Sequence, residues 1–262
     1  MPELPEAENI GRALGRVLPG LMITRVEIFS PAMREPLAPL GEAELPGRRF
    51  VAIRRRARYV IAELDDGRAL LMHFGMSGVV RVESAAVPRR RHEHVFLHLS
   101  DGRIFRFECT RRFSLLKVVT LPAPGADPVE LSRLGVEPLC DEFDGAFLFR
   151  HSRSRSCCVK NFLMDNAVVV GIGNIYATET LFAARVSPSR LAGEAKRILF
   201  RAIELGGSSI SDFLNVDGSE GKFAQELRVY GRAGQPCPVC GTVLETKRLG
   251  GRSSCFCPRC QL

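Results

Sequence analysis

The sequence predicts an α+β protein of several modules, and three observations predict it. From the N-terminus, Leu4, Ala7, Ile10, Leu14, Val17 and Leu18 form a helical apolar stripe that Pro19 and Gly20 end. From Leu21 to about Leu121 the pattern changes to eight short β-rich runs: ITRVEIF, RFVAIRR, YVIAEL, ALLMHF, VVRVE, HVFLHL, RIFRFE and SLLKVV. In the last 26 residues four cysteines recur as C-x2-C-x16-C-x2-C: Cys237, Cys240, Cys257 and Cys260. The expected order is an N-terminal helix, a β-sandwich or flattened barrel, a helical segment and a small metal module.

Each element has a local reason. Pro2 suits a first helical turn, where its missing N–H would be unpaired anyway, and Glu3 and Glu6 complement the positive end of the helix dipole. Turns such as Asp65-Asp66-Gly67 and Ser100-Asp101-Gly102 separate the strands. PAPGADP, residues 122–128, reads as a linker. Helical patterns follow around VELSRLG, SCCVKNFLMDN, NIYATETLFAARV, AGEAKRILFRAIELGG and SISDFLNV. The expected modules are residues 1–125, 126–229 and 230–262.

Composition narrows the class. The net charge is +8, carried by 32 Arg against 5 Lys, so a polyanion is the expected partner, nucleic acid first. Arg and Ala codons are GC-rich, so genomic base composition is the bland reading of the Arg excess, though not of the net charge. No stretch of about 18 residues lacks charge, and no basic region followed by an apolar run opens the chain. We therefore expect a cytoplasmic, nucleoid-associated bacterial protein, monomeric and without a membrane span. Four thiolates with no His and no open position indicate one structural zinc ion. The other cysteines, Cys109, Cys140, Cys157, Cys158 and Cys255, show no regular spacing and read as buried or idle thiols.

The chain resembles the formamidopyrimidine-DNA glycosylases and the related endonuclease VIII enzymes over nearly its whole length. The resemblance rests on PELPE at 2–6, HFGMSG at 73–78, RHEHV at 91–95, RRF at 111–113 and LGVEPL at 134–139. It continues through LMDNAVVVGIGNIYATETLF at 163–182, FAQELRVYGRAGQPC at 223–237 and the ribbon. PELPE looks like the formamidopyrimidine branch. The resemblance implies a β-sandwich lobe carrying the N-terminal helix and a helix–two-turns–helix domain with a zinc finger. Damaged double-stranded DNA would lie between them.

It also implies a bifunctional glycosylase and abasic-site lyase of base excision repair, acting on 8-oxoguanine or ring-opened purines. A base inside a duplex must be flipped out before it can react. With Met1 removed, the Pro2 amine would attack C1′, expel the base and leave an iminium, a Schiff-base route. Glu3 would shuttle protons, and β- then δ-elimination would cut the strand. Glu6, three residues on, is read as an orienting carboxylate or a solvated one. Met76, Arg111 and Phe113 resemble the set that fills the emptied stack, Met76 from a loop tip marked by Gly75 and Gly78. His92, Arg112, Arg155, Lys160 and Asn174 are candidate phosphate contacts. Asn174, where a Gly-rich turn gives way to a helix, is equally sound as a cap. His94 is read as packing in its strand. Arg252 is the ribbon arginine that the resemblance links to flanking phosphates and δ-elimination. The Gly-rich stretch in Ser208–Phe223 looks like the loop that covers the everted base.

Several positions depart from the pattern. Arg58 stands where the family has a lysine; it keeps the charge but does not readily give up a proton. Glu108-Cys109-Thr110 replaces the usual Thr-Asp-Pro, Ser114 a glycine and Asn161 a proline. They keep two alternatives open: a paralogue with another lesion range (oxidised pyrimidines, abasic sites or bulky adducts), or a non-catalytic zinc protein that binds damaged DNA.

Overall fold

The computed structural model describes residues 2–153, 155–185, 188–209, 216 and 218–261. The chain divides into two compact units, residues 1–132 with 206–221, and residues 133–205 with 222–262. The segment after residue 205 returns to the first unit, and the metal module belongs to the same unit as the helices.

The first unit opens with α1 (Leu4–Val17). All eight expected strands form: β1 (Ile23–Ile28), β2 (Phe50–Arg56), β3 (Tyr59–Leu64), β4 (Arg68–His73), β5 (Gly78–Ser84), β6 (Glu93–Leu99), β7 (Arg103–Cys109) and β8 (Leu115–Thr120). A short helix not expected from the pattern, α2 (Ala38–Glu42), follows β1. The strands make two antiparallel four-stranded sheets, β1-β6-β7-β5 and β2-β3-β4-β8. Their apolar faces share one core with α1, in which Ile10, Leu14, Phe50, Val60, Leu70, Phe105 and Phe107 are buried. The arginine run that ends β2 makes structural ion pairs. Arg55 pairs with Glu8 of α1 at 2.7 Å, and Arg54 and Arg56 pair with Asp127 of the linker at 2.7 and 2.8 Å.

The second unit contains α3 (Gly145–Ser152), α4 (Val159–Leu163), α5 (Asn174–Ala184) and α6 (Pro188–Glu204). Phe143, Leu163, Tyr176, Ala195 and Leu199 fill its core. VELSRLG, expected as a helix, makes only a 3-10 turn at Val129–Leu131. α3, which the pattern did not predict, is capped by Asp144, whose carboxylate accepts from the Phe147 N–H at 2.6 Å. The expected helix in SISDFLNV lies outside the described residues apart from Ser209 and Val216. The chain ends in a hairpin of β9 (Glu245–Leu249) and β10 (Arg252–Phe256) over a small core of Phe182, Val229, Leu244 and the cysteines.

Candidate active site and nucleic-acid interface

The first turn of α1 is a built carboxylate site. Glu3 is the N-cap, with extended backbone, rather than a first-turn residue. Pro2, Glu3 and Glu6 are all buried. The Glu6 carboxylate accepts from the Glu3 N–H at 2.9 Å, the return bond of a capping box. Its other oxygen accepts from the Ser208 N–H at 2.7 Å and the Ser208 hydroxyl at 2.9 Å. Gly207 fits against this carboxylate only as glycine: a Cβ there would lie 2.9 Å from Glu6 Cγ. Glu6 is thus a buried anchor, not a solvated side chain. It joins the N-terminus of α1 to the returning segment. Met1, and with it the expectation of its removal, lies outside the described residues, as do residues 210–215 and 217 of the expected covering loop.

Arg58 sits at the tip of the β2–β3 hairpin, after Ala57 in left-handed backbone (φ 55°). Tyr59 pairs with His73 across the β3–β4 ladder, their rings 4.9 Å apart. Burial, then the charges of Arg34 and Arg58, lower the His73 pKa to about 4. His73 is therefore neutral at physiological pH. Its Nδ1 accepts from the Gly75 N–H at 3.1 Å, which places its own proton on Nε2.

Beyond His73 the chain turns through Met76, which is 41% exposed, and nearby Phe113 is 56% exposed. Two large apolar side chains thus stand exposed on two turns that touch at Gly75 and Phe113. Arg111 and Arg112 are exposed beside them, and Arg112 takes left-handed backbone (φ 56°). His92 is half-buried, its carbonyl accepting from the Cys109 N–H at 2.9 Å. His94 is buried, its ring Nε2 2.9 Å from the Cys109 carbonyl, which suits a packing role.

In the second unit the hairpin is held from below. Lys160 is buried, and its ammonium donates to the Ser254 hydroxyl at 2.7 Å and the Ser253 carbonyl at 3.2 Å. Expected as a phosphate contact, it places two hydrogen bonds on the hairpin and so ties α4 to β10. Asn174, first residue of α5, donates from Nδ2 to the same Ser253 carbonyl at 3.3 Å. Its Oδ1 is buried with no hydrogen-bond partner among the described residues. Gly250 packs on Asn161, whose amide atoms a Cβ would meet at 2.5 Å. These contacts fix Ser253, and Arg252 next to it is exposed. Arg155 is exposed and 3.5 Å from Asp165. Glu179, not singled out in the sequence, is buried and accepts from three successive N–H groups, Arg228 at 3.0 Å, Val229 at 3.0 Å and Tyr230 at 2.8 Å. The available cue was a carboxylate inside the apolar run ATETLF.

The metal module fits its ion. The Sγ atoms of Cys237, Cys240, Cys257 and Cys260 all lie within 4.8 Å of one another. Cys240 and Cys257 are 3.5 Å apart, Cys237 and Cys260 4.0 Å, around the ~3.8 Å that a tetrahedron of 2.3 Å Zn–S bonds requires. Hydrogen bonds from Thr242 bring the Cys240 thiol down to about 6. Contact with Cys240, then burial and Cys257, push Cys260 up to about 12. Four thiols this close do not all ionise without a cation among them, so the donor set calls for one structural zinc.

Comparison with known proteins decides the family. The formamidopyrimidine-DNA glycosylase N-terminal domain matches residues 1–116, its H2TH domain residues 134–214, and the zinc finger found in FPG and IleRS residues 234–262. Formamidopyrimidine-DNA glycosylases of Pseudomonas putida (strain GB-1) and Alcanivorax borkumensis are each 46% identical, with both chains covered over 100% of their length. The chain belongs to the formamidopyrimidine-DNA glycosylase family. Solved structures of that family share its fold. A Lactococcus lactis FPG mutant in complex with Fapy-dG containing DNA superposes with a TM-score of 0.87 at 29% identity, over 99% of each chain. Lactococcus lactis Fpg with an abasic site containing DNA gives 0.86 at 29% identity, again over 99% of each. The helical unit is thus the family's helix–two-turns–helix domain, and the metal module its zinc finger. No helix among the described residues is long and apolar enough to cross a membrane.

Proposed function

We propose that this protein is a bifunctional DNA glycosylase and abasic-site lyase of base excision repair, removing oxidised or ring-opened purines from double-stranded DNA. Family membership over the whole chain supports the reaction class. Relatives solved with Fapy-dG, abasic-site and carbocyclic 8-oxo-G containing DNA support the substrate class. The observation that carries the assignment of residues is the buried start of α1, where Pro2 lies next to Glu3, whose N–H is held by the Glu6–Ser208 anchor.

The chemistry follows from that turn. After loss of Met1, Pro2 carries a free secondary amine; an α-amine ordinarily titrates at about pH 8, which leaves an appreciable nucleophilic fraction at neutral pH. The Pro2 amine attacks C1′ of the everted nucleotide, and the glycosidic bond breaks with its electron pair going to the base. Glu3 protonates the base and takes up the amine's proton; that proton passes to O4′ as the C1′–O4′ bond opens, leaving an iminium on the ring-opened sugar. The iminium acidifies the C2′ hydrogen, and successive β- and δ-eliminations release the sugar. Glu6 holds the Glu3 backbone, so Glu3 aims from a fixed cap. Arg58 supplies charge at the hairpin tip in place of a titrating lysine. Met76, Arg111 and Phe113 fill the emptied stack, while Arg112, Arg155, His92, Asn174 and Arg252 face phosphates. Lys160 positions Arg252 from beneath. Zinc, when bound, folds the ribbon and takes no part in the reaction.

Borohydride reduction with an 8-oxoguanine duplex tests this reading. A covalent adduct is expected for the intact protein and none for Pro2→Gly. Tight binding of damaged DNA with no adduct in either protein would favour the non-catalytic alternative.

A further inference from the structure

We propose that Cys109 and Ser114 are positioning residues that lock the Met76 turn to the Phe113 turn, so that the groups entering the duplex act as one wedge. The proposal rests on the reading of Met76, Arg111 and Phe113 as the residues that fill the emptied stack.

The two turns are held together at three levels. The closest is steric. A Cβ on Gly75, whose φ is +56°, would lie 2.5 Å from the Phe113 carbonyl oxygen. A Cβ on Gly78 would meet both the Phe74 carbonyl and the Ser114 hydroxyl at 2.4 Å. Both glycines are therefore needed for the approach of one turn to the other. The second level is a relay. The Ser114 hydroxyl lies 2.8 Å from the Phe74 carbonyl oxygen and 3.0 Å from the Cys109 sulfur, and both side chains are fully buried. One hydroxyl carries one proton, and the carbonyl has none to give. Ser114 therefore donates to Phe74, and the Cys109 thiol turns its own proton to the Ser114 oxygen. The third level is at the outer edge, where the Arg111 N–H donates to the Ser77 hydroxyl at 3.2 Å.

Cys109 is fixed in turn. Its N–H donates to the His92 carbonyl at 2.9 Å, and the His94 ring holds its carbonyl oxygen. The relay thus runs from the end of β7 through Ser114 to the base of the Met76 turn. Forcing a stacked step open costs a few kcal/mol, and a compliant wedge would yield before the bases do. Joining the two exposed apolar side chains through a dry, hydrogen-bonded base removes that compliance.

The test compares two substrates, because a residue that merely supports folding affects both. The readout is kcat/KM for excising 8-oxoguanine from a duplex, divided by kcat/KM for cleaving a single-stranded abasic oligonucleotide, which has no stack to open. Ser114→Ala is expected to lower this ratio about tenfold, the value of one buried hydrogen bond. Cys109→Ala is expected to lower it by a smaller factor, and Cys109→Ser, which keeps a proton to donate, to restore part of the loss. Met76→Ala is the control for the wedge itself and is expected to lower the ratio most. If Met76→Ala lowers the ratio and Ser114→Ala does not, the relay is overturned. A parallel loss of both activities in Ser114→Ala, or identical behaviour of Cys109→Ser and Cys109→Ala, overturns it as well. An unchanged ratio in Met76→Ala would instead remove the wedge reading on which the proposal rests.

Discussion

The two units hold their functional side chains by different means. In the first, Arg58, Met76 and Phe113 sit on short excursions from two four-stranded sheets with a shared apolar core, and Glu3 caps the helix that packs into that core. In the second, Arg252 sits on a two-stranded hairpin whose exposed strand β9 contributes almost nothing to a core. A lone hairpin is marginal in water. Four thiolates, Lys160 and Asn174 hold this one, and the Glu179 carboxylate fixes residues 228–230 that lead into it. The first unit sets its polar contacts on a large shared sheet core, whereas the hairpin of the second depends on the metal and on buried polar contacts, so different perturbations should separate them.

The largest separation should come from the metal. Structural zinc supplies roughly 10–16 kcal/mol of folding free energy in isolated finger peptides. Stripping it from the full chain with a chelator should expose the amides of residues 236–260 to hydrogen exchange and weaken DNA binding at least about a hundredfold. Protection of the sheets of the first unit should persist. Collapse of both units together in the exchange experiment would break the comparison.

Lys160→Met should be next. It leaves the Ser254 hydroxyl without its buried donor, a cost of about 1–3 kcal/mol. Thermal unfolding should show a lower midpoint, and zinc should pass faster to a competing chelator. A variant with the parent protein's midpoint and zinc release would mean that the ammonium serves DNA rather than the hairpin.

A pH experiment addresses the first unit. The folded His73 pKa is about 4, below the 6.5 of an unfolded chain. The folded state thus binds fewer protons, and the contribution of neutral His73 is present above pH 6.5 and lost as pH falls toward 4. Urea midpoints should fall over that window, and His73→Gln should flatten the fall. An equal slope in the variant would assign the effect to other groups.

The smallest effect should be that of Arg252→Ala, which removes one exposed cation. The slope of log affinity against log salt should shrink by about 0.9, one phosphate's worth. Anisotropy titrations across salt measure it, and an unchanged slope would take Arg252 off the phosphate surface.

The comparison also explains what could be read in advance. The eight strands were legible because burial of one sheet face imposes a period of two, and the four cysteines because a tetrathiolate site fixes its spacing. α3 was missed because its main local cue is the Asp144 cap, and only Phe147 and Leu148 of its residues are buried. Glu6 was undervalued because its decisive partner, Ser208, lies 202 residues away. The burial of Lys160 depends on Ser254, 94 residues on, so its local pattern read as a surface cation. Long-range polar contacts leave little trace in periodicity, and they are what shape both candidate sites.

The central claim is that the amine of Pro2 forms the covalent bond to the sugar. Peptide mapping of the borohydride-reduced complex by mass spectrometry tests it most directly. The account predicts the sugar remnant on the first peptide, beginning at Pro2 with Met1 absent. A remnant on a lysine-containing peptide, or an active protein that keeps Met1, would contradict it.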